Sequence, residues 1–374
     1  MIYLDYSATT PVCKEVLDTF NKVSMNYIGN SNSLHKLGVS SKQLMREATN
    51  QIAKILGVKP TEIIYTSGAT ESNNLIIKGI LDAYPKRGKQ IITTKLEHSS
   101  ILEPLHYLET KGYHVDYVSL NQDGTVNLEH LKELLSDETI LVTIASVSSE
   151  LGIQQPIREI GMLVHQYPRC FFHSDMTQSI GKVNVSFEDV DAASFSAHKF
   201  YGLKGIGVLV KKENVQLTPL FHGGESTTVY RSGTPALPLI VSLSKALRLS
   251  LESLDRHYKQ VEALNSLLRK ELENIMGITI NSTSSSIPHI LNFSVEGIKP
   301  ETLLHALEEH EIYLSTKSAC SSHAKESLSV MSVYHDASRA SHSLRASLSY
   351  LTSDDDIKQF VSVLKDCIET LSIR

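Results

Sequence analysis

Residues 194–207 read SFSAHKFYGLKGIG, and where this stretch sits decides the fold. An apolar run at 191–196 leads into it and predicts a strand. That strand delivers His198 and Lys199, and Gly202, Gly205 and Gly207 carry the chain onward. A lysine placed directly after a strand end can be held rigidly in a cleft. Its amine suits covalent chemistry on a carbonyl once it is desolvated enough to lose its proton. A solvated loop lysine has the same local sequence, because isolated lysines are usually surface charges.

Asp175 favours the first reading. It ends the preceding strand in the sequence, predicted over 170–173 and its continuation. A carboxylate and an amine at neighbouring strand ends are the pair that pyridoxal phosphate (PLP) needs. The lysine makes the Schiff base, and the carboxylate keeps the pyridinium nitrogen protonated so that the ring can take up electrons. Working outward, strand and helix alternate. Strands are predicted at 90–94, 114–120, 139–146, 170–173 and 192–196. Helical spacing joins them through Ile101, Leu105 and Leu108, then Leu128, Leu131 and Leu135, then Ile157, Ile160 and Val164. This alternation predicts an α/β fold with a mainly parallel sheet covered on both faces. Ligands of such sheets bind beyond the carboxyl ends of the strands, and His98, Ser149, Asp175 and Lys199 all fall at such ends.

Upstream, residues 4–11 (LDYSATTP) read as a short extended arm, followed by helices with Val16, Phe20 and Val23, then Leu44, Ala48 and Ile52. A short strand at 62–66 turns through Ser67, Gly68, Ala69 and Thr70 into a helix. Free N–H groups and the positive end of the helix dipole make this an anion cradle, to which Thr70 adds a hydroxyl; a plain helix cap reads the same locally. Downstream, one long helix is expected over 238–275. A smaller α/β region follows, with a strand at 290–295, a helix at 300–310, a strand at 312–315, a strand holding Arg345, and a last helix capped by acidic residues at 352–356. Arg345 offers a bidentate fork for a carboxylate, or is a surface charge. His98 could stack on a planar cofactor and move protons, or be a satisfied core histidine. Cys320 lies in a small, polar stretch, where an exposed thiol would be a good nucleophile toward sulfur; a buried structural thiol is the alternative. Cys13, Cys170 and Cys367 sit in regular apolar patterns and read as core cysteines.

The chain has 374 residues and a formal net charge of −5. It carries no long basic run, which argues against general nucleic-acid binding. No stretch has membrane length and no signal-peptide pattern opens the chain. Four cysteines without CxxC spacing indicate neither a zinc site nor a disulfide framework, and the sixteen histidines lack metal-ligand spacing, so no metal is expected. A cytoplasmic protein is the expectation.

These motifs, in this order, resemble the PLP-dependent cysteine desulfurases of the NifS/IscS type, within the class V aminotransferases. The likeness runs over essentially the whole length and rests on 4–11, 66–73, 97–98, 175–179, 194–207, 231–234, 318–321 and the Arg345 strand. The 25-residue separation of Cys320 and Arg345 is similar to the long-loop, IscS-like group. Residues 304–322 and 347–350 look closest to the NifZ-type branch, which is associated with sulfur delivery to a tRNA 4-thiouridine synthetase.

The resemblance implies the PLP-dependent transferase fold type I. It implies a large PLP-binding domain over 13–256 and a small domain made of 1–12 with 257–374. It implies that Lys199 carries the cofactor and moves protons, that Asp175 pairs with the pyridinium, that Gln178 reaches the ring hydroxyl and that His98 stacks on the ring. Ala69, Thr70, Ser196 and His198 would hold the phosphate, with Thr234 contributed by the partner subunit of a homodimer. Arg345 would grip the carboxylate of L-cysteine, and Ser149 would face both that carboxylate and the cofactor hydroxyl. Cys320 would take the sulfur as a persulfide and pass it to an acceptor protein, for thiolated tRNA or for an Fe–S scaffold. The sequence departs from the family where Ser148 and Ser149 replace an Asn-Asn pair, and where residues 223–227 read GGEST in place of Gly-Gly-Gly-Gln-Glu. Other class V enzymes (a selenocysteine lyase, a cysteine-sulfinate lyase or an aminotransferase) share most of this pattern. A desulfurase-like scaffold for a sulfur-relay partner is the reading from a different class.

Overall fold

The computed structural model describes residues 1–224, 226–316 and 326–372. Its centre is a seven-stranded sheet. In chain order the strands are β2 (Ile63–Thr66), β3 (Gln90–Thr93), β4 (His114–Tyr117), β5 (Thr139–Thr143), β6 (Phe171–Asp175), β7 (Ala192–Ser196) and β8 (Gly207–Lys211). β1 (Ile2–Tyr3) lies outside this sheet. The spatial order is β2-β8-β7-β6-β5-β3-β4. β8 runs antiparallel to both β7 and β2, and the other adjacent pairs are parallel. The mainly parallel sheet read from the alternation is therefore what forms.

Covering both faces explains why the inner strands are apolar throughout. β5, TILVT, is buried at all five positions. Successive residues face opposite sides, so Val142, Phe172 and Phe195 join one apolar cluster while Leu141 and Phe171 join another. The first cluster takes in α1 (Lys14–Asn26), α2 (Lys36–Leu56), α6 (Ile157–Val164) and α7 (Leu237–Glu252), through residues such as Val16, Ile52, Ile160 and Leu247. The second is closed by α3 (Ala69–Ala83) and α4 (Ser99–Glu109), through Ile76, Ile80, Ile101 and Leu105.

A third cluster gathers Leu4 of the N-terminal arm with α8 (Leu254–Glu273), β10 (Ile290–Val295), α9 (Pro300–Glu308), β12 (Ser343–Ser347) and α12 (Asp354–Ser372). β10 pairs antiparallel with β12 and with β9 (Ile278–Ile280), and β1 pairs parallel with β11 (Ile312–Tyr313). The helix expected over 238–275 is two helices, broken at Ser253 (φ −108°, ψ 6°). The apolar stripe runs on across the break, so its spacing gives no sign of one. The two halves have different partners: α7 packs on α1 and α2, whereas α8 packs on β9 and α12. β9 and the short helices α10 (Leu328–Tyr334) and α11 (Ala337–Ser341) carry too few residues for a periodic signal. Cys170 and Cys367 are buried, but Cys13 is not a core cysteine. It caps α1 half-exposed, with Sγ 2.7 Å from a Glu15 carboxylate oxygen, because it precedes the helix rather than sitting on its inner face. No helix among the described residues is long and apolar enough to cross a membrane.

Candidate active site

A cavity of about 240 Å³ lies past the carboxyl ends of β3, β5, β6 and β7. β3 and β5 are neighbours in the sheet although β4 separates them in sequence, so the strand order reverses there, which is where ligands of such sheets sit. Ala69, Thr70, His98, Ser149 and Asp175 line the cavity, and so do Gln178, Ser196, His198, Lys199 and Arg345. Thr234 does not. It borders a separate cavity with Tyr65, Gly205 and Arg231, and Arg231 Nε there donates to Glu71 at 2.9 Å. Cys320 lies outside the described residues.

One wall is the N-terminus of α3. Gly68 caps it, and Ala69 N–H donates to Ser196 Oγ at 2.7 Å, which joins the cradle to the end of β7. The fit is close because β8 begins with glycine. A Cβ on Gly207 would lie 2.6 Å from Gly68 Cα and 2.7 Å from the Phe195 carbonyl. With the helix N-terminus, Thr70 and Ser196 this wall can take an anion. His198 stands beside it, with Nδ1 3.1 Å from Thr9 Oγ1. Burial, and then the nearby Lys199, Lys204 and Lys182, push its imidazole down to about 4, so it is neutral at ordinary pH.

Asp175 ends β6, and two donors fix its carboxylate: Thr177 N–H at 2.9 Å and Asn73 Nδ2 at 2.8 Å. The same Asn73 amide donates to Ser100 Oγ at 2.9 Å. Ser100 N–H in turn donates to His98 Nδ1 at 3.1 Å. Since Nδ1 accepts, the ring proton of neutral His98 sits on Nε2. Burial lowers the basicity of His98, with Asp175 acting against that and Lys199 with it. Next to it, Glu97 is buried and accepts from Thr94 Oγ1 and Ala145 N–H; burial pushes its carboxyl up to about 8. Asn73 and Ser100 were not singled out by the sequence reading. Asn73 lies one turn beyond Ala69, the one amide among the buried residues of that helix, which was the available signal.

The opposite wall is built by the N-terminal arm. Lys199 Nζ donates to the carbonyls of Ser7 at 2.6 Å and Ala8 at 2.8 Å. Gln178 Nε2 donates to the same Ser7 carbonyl at 3.0 Å. Thr10 bonds the His198 carbonyl through both its N–H and its hydroxyl. Arg345 is 2% exposed. Its Nη2 donates to Asp5 Oδ1 at 2.9 Å and its Nη1 to the Ser149 carbonyl at 2.8 Å. Ser149 thus meets Arg345 through its main chain. The arm reads as extended in sequence, but its carbonyls carry no side-chain signal, and nothing local marks Asp5 as a partner of Arg345. Among the described residues, no group of three or more His, Cys, Asp or Glu is placed to hold a metal ion.

A family model for class-V aminotransferases matches residues 2–360. The chain belongs to the class-V aminotransferases, in the NifS/IscS group. A cysteine desulfurase IscS from Dictyoglomus turgidum is 36% identical, over 99% of this chain and 95% of that protein. A NifS/IcsS protein homolog from Lactobacillus delbrueckii subsp. bulgaricus is 39% identical, over 100% and 98%. A solved NifS-like protein matches over the full length of both chains with a TM-score of 0.92 and 36% identity. SspA in complex with cysteine matches at 0.82 and 30%, over 94% of this chain and all of that one.

This family is PLP-dependent. The residues present fit that cofactor. Among the described residues, four buried polar atoms at or beside the cavity have no hydrogen-bond partner: Ser7 Oγ, Asn73 Oδ1, Thr177 Oγ1 and Arg345 Nε. Unpaired buried polar groups are costly, so a cluster of them marks a place made for a polar ligand. A helix N-terminus for a phosphate, a buried carboxylate for a ring nitrogen and an amine for an aldehyde line the same space.

Proposed function

We propose that this chain is a PLP-dependent cysteine desulfurase that converts L-cysteine to L-alanine and carries the released sulfur as a persulfide on Cys320. The convergence of an amine, a carboxylate, an imidazole and a buried guanidinium on one cavity supports this reading. The full-length likeness to proteins named cysteine desulfurase supports it independently. When bound, PLP supplies the electron sink that lets a bond beside the substrate nitrogen break.

The chain's own residues do the rest. The α3 N-terminus, Thr70, Ser196 and His198 would bind the phosphate. Asp175, held by Asn73 and Thr177, would keep the ring nitrogen protonated, and Gln178 would donate to the ring oxygen. His98, with Nε2–H as its proton-bearing atom, would lie against the ring. Arg345, oriented by Asp5 and the Ser149 carbonyl, would bind the substrate carboxylate. Lys199 would hold the cofactor and return a proton to the substrate carbon. In the net reaction the Cβ–S bond of cysteine breaks, an S–S bond to Cys320 forms, and a hydrogen replaces sulfur on the carbon that becomes the alanine methyl. The arithmetic is cysteine plus thiol giving alanine plus persulfide, with no outside oxidant or reductant.

The finer parts of the reading follow the resemblance: a homodimer in which the partner's Thr234 completes the phosphate site, and transfer of sulfur to an acceptor for tRNA thiolation or Fe–S clusters, in the cytoplasm. So does the division into 13–256 and 1–12 with 257–374, which the separate apolar clusters support. The test is to incubate PLP-loaded protein with cysteine, assay alanine, and weigh the Cys320 peptide. Alanine together with one added sulfur atom on that peptide is expected, and Cys320→Ser should abolish the adduct. No alanine, with or without acceptor proteins, would sink the reading.

A further inference from the structure

Lys182 is a buried amine that the mechanism above does not use. It closes the turn after β6, where Lys182 N–H bonds the Ser179 carbonyl. The turn depends on Gly181, whose φ of 76° is left-handed and whose place a Cβ would fill 2.9 Å from Phe200 Cβ. Lys182 is 6% exposed, and among the described residues its Nζ has one hydrogen-bond partner, Gln178 Oε1. The charges that act on it are those of Lys199 and Arg345, both positive, and burial first and these charges second drive its amine well below the usual lysine range. The imidazole of His289, also buried, feels it in turn. A buried amine without a carboxylate is expensive, and a methionine would fill the space without that cost. Something other than packing accounts for it.

The hydrogen bonds say what. A backbone carbonyl can only accept, so the Ser7 carbonyl demands the Nε2 end of the Gln178 amide. Lys182 Nζ donates to the other end, Oε1. The carboxamide is therefore clamped at both termini and cannot flip. One Nε2 hydrogen is spent on Ser7, and the second remains for the cavity that Gln178 lines. We propose that Lys182 is a positioning residue: by holding Gln178 Oε1 it makes that amide a donor, never an acceptor, toward the ring oxygen of the cofactor. The proposal rests on the reading of Gln178 as a PLP partner.

The experiment is a double-mutant cycle with Lys182→Met and Gln178→Leu in the full chain. Three quantities are read: the PLP dissociation constant, the pH midpoint of the cofactor's visible absorption band, and the melting temperature of PLP-free protein. Lys182→Met should weaken PLP roughly fivefold, the worth of one hydrogen bond. It should also move the absorption midpoint by about half a pH unit or more. In the Gln178→Leu background the same substitution should change neither quantity, because the group it acts through is gone. The double variant should also melt above Lys182→Met alone, since removing both partners leaves no orphaned polar atom. Equal effects of Lys182→Met in both backgrounds, or an effect on melting alone, would overturn the proposal. If Lys182→Met does not fold, Lys182→Gln, too short to reach Gln178, takes its place in the cycle with the same outcomes. Wild-type protein that binds no PLP would instead overturn the functional reading beneath it.

Discussion

The carboxyl edge of the central sheet and the N-terminal arm face each other across one cavity and serve it differently. The sheet contributes side chains: Asp175 at the end of β6, and Lys199 just past β7. The arm contributes mostly main chain, through the carbonyls of Ser7 and Ala8 that receive Lys199 and Gln178. Its side chains act at Asp5, whose carboxylate holds Arg345, and at Thr9 and Thr10, whose hydroxyls meet His198. At the sheet edge the residue type is the function. On the arm the path of the backbone carries much of it.

The sharpest break of that contrast is Lys199→Ala. It should lower alanine formation by roughly 10³-fold or more, since it removes the group that forms the covalent bond, while melting shifts little. Retained turnover would mean that the sheet edge does not carry the chemistry. Asp5→Ala should be the most severe substitution among the arm's polar side chains. It strips a buried guanidinium of the one carboxylate it pairs with among the described residues, and because Asp5 is partly exposed we expect a loss of about 2 kcal/mol in chemical denaturation rather than the full buried-pair value. The KM for cysteine should rise about tenfold as Arg345 loses its orientation. An unchanged KM would remove Arg345 from the substrate site.

A third expectation concerns acid. His173, in the middle of β6, is buried between Thr143 Oγ1 and Ser194 Oγ at 2.9 Å each, and burial lowers it from 6.5 to about 4. Its folded pKa lies below its unfolded one, so the unfolded chain takes up a proton first as the pH falls. Its contribution to stability is present above 6.5 and drains away toward 4. Melting temperature against pH should fall through that window, and His173→Gln should flatten the fall. An unchanged slope would place the titration elsewhere. The smallest effect should come from Ser7→Ala. It keeps the carbonyl that Lys199 and Gln178 use and loses a hydroxyl with no partner among the described residues, so the stability of PLP-free protein should move by less than ~0.5 kcal/mol. A large effect would show that the arm acts through side chains after all.

The same contrast explains what could be read in advance. Asp175 and Lys199 were legible because each follows a buried apolar run, and such a run fixes where its end must lie in a parallel sheet. Arg345 and His98 were legible as types of residue, but their partners were not. Asp5 and Arg345 are 340 positions apart, and no local pattern links them. Asn73 and Ser100 were hidden for another reason. Each is a small polar residue near a helix start, where capping is the ordinary use, and only packing turns them toward Asp175 and His98. Ser149 was expected to act through its side chain, yet the contact with Arg345 uses its carbonyl, which any residue would supply.

By itself the sequence determined the alternation of strands and helices, because a side chain's preference for the interior repeats with the period of the element that holds it. It determined which reactive groups stand at strand ends, and the order of motifs that places the chain among its relatives. Only the tertiary structure decided that the first ten residues fold back over residues 198–201, that α7 and α8 part at Ser253, and that Lys182 reaches Gln178. Those choices depend on loops closing between segments far apart in the chain. Their free energy comes from burial and hydrogen bonding summed over many partners, which no single stretch of residues encodes.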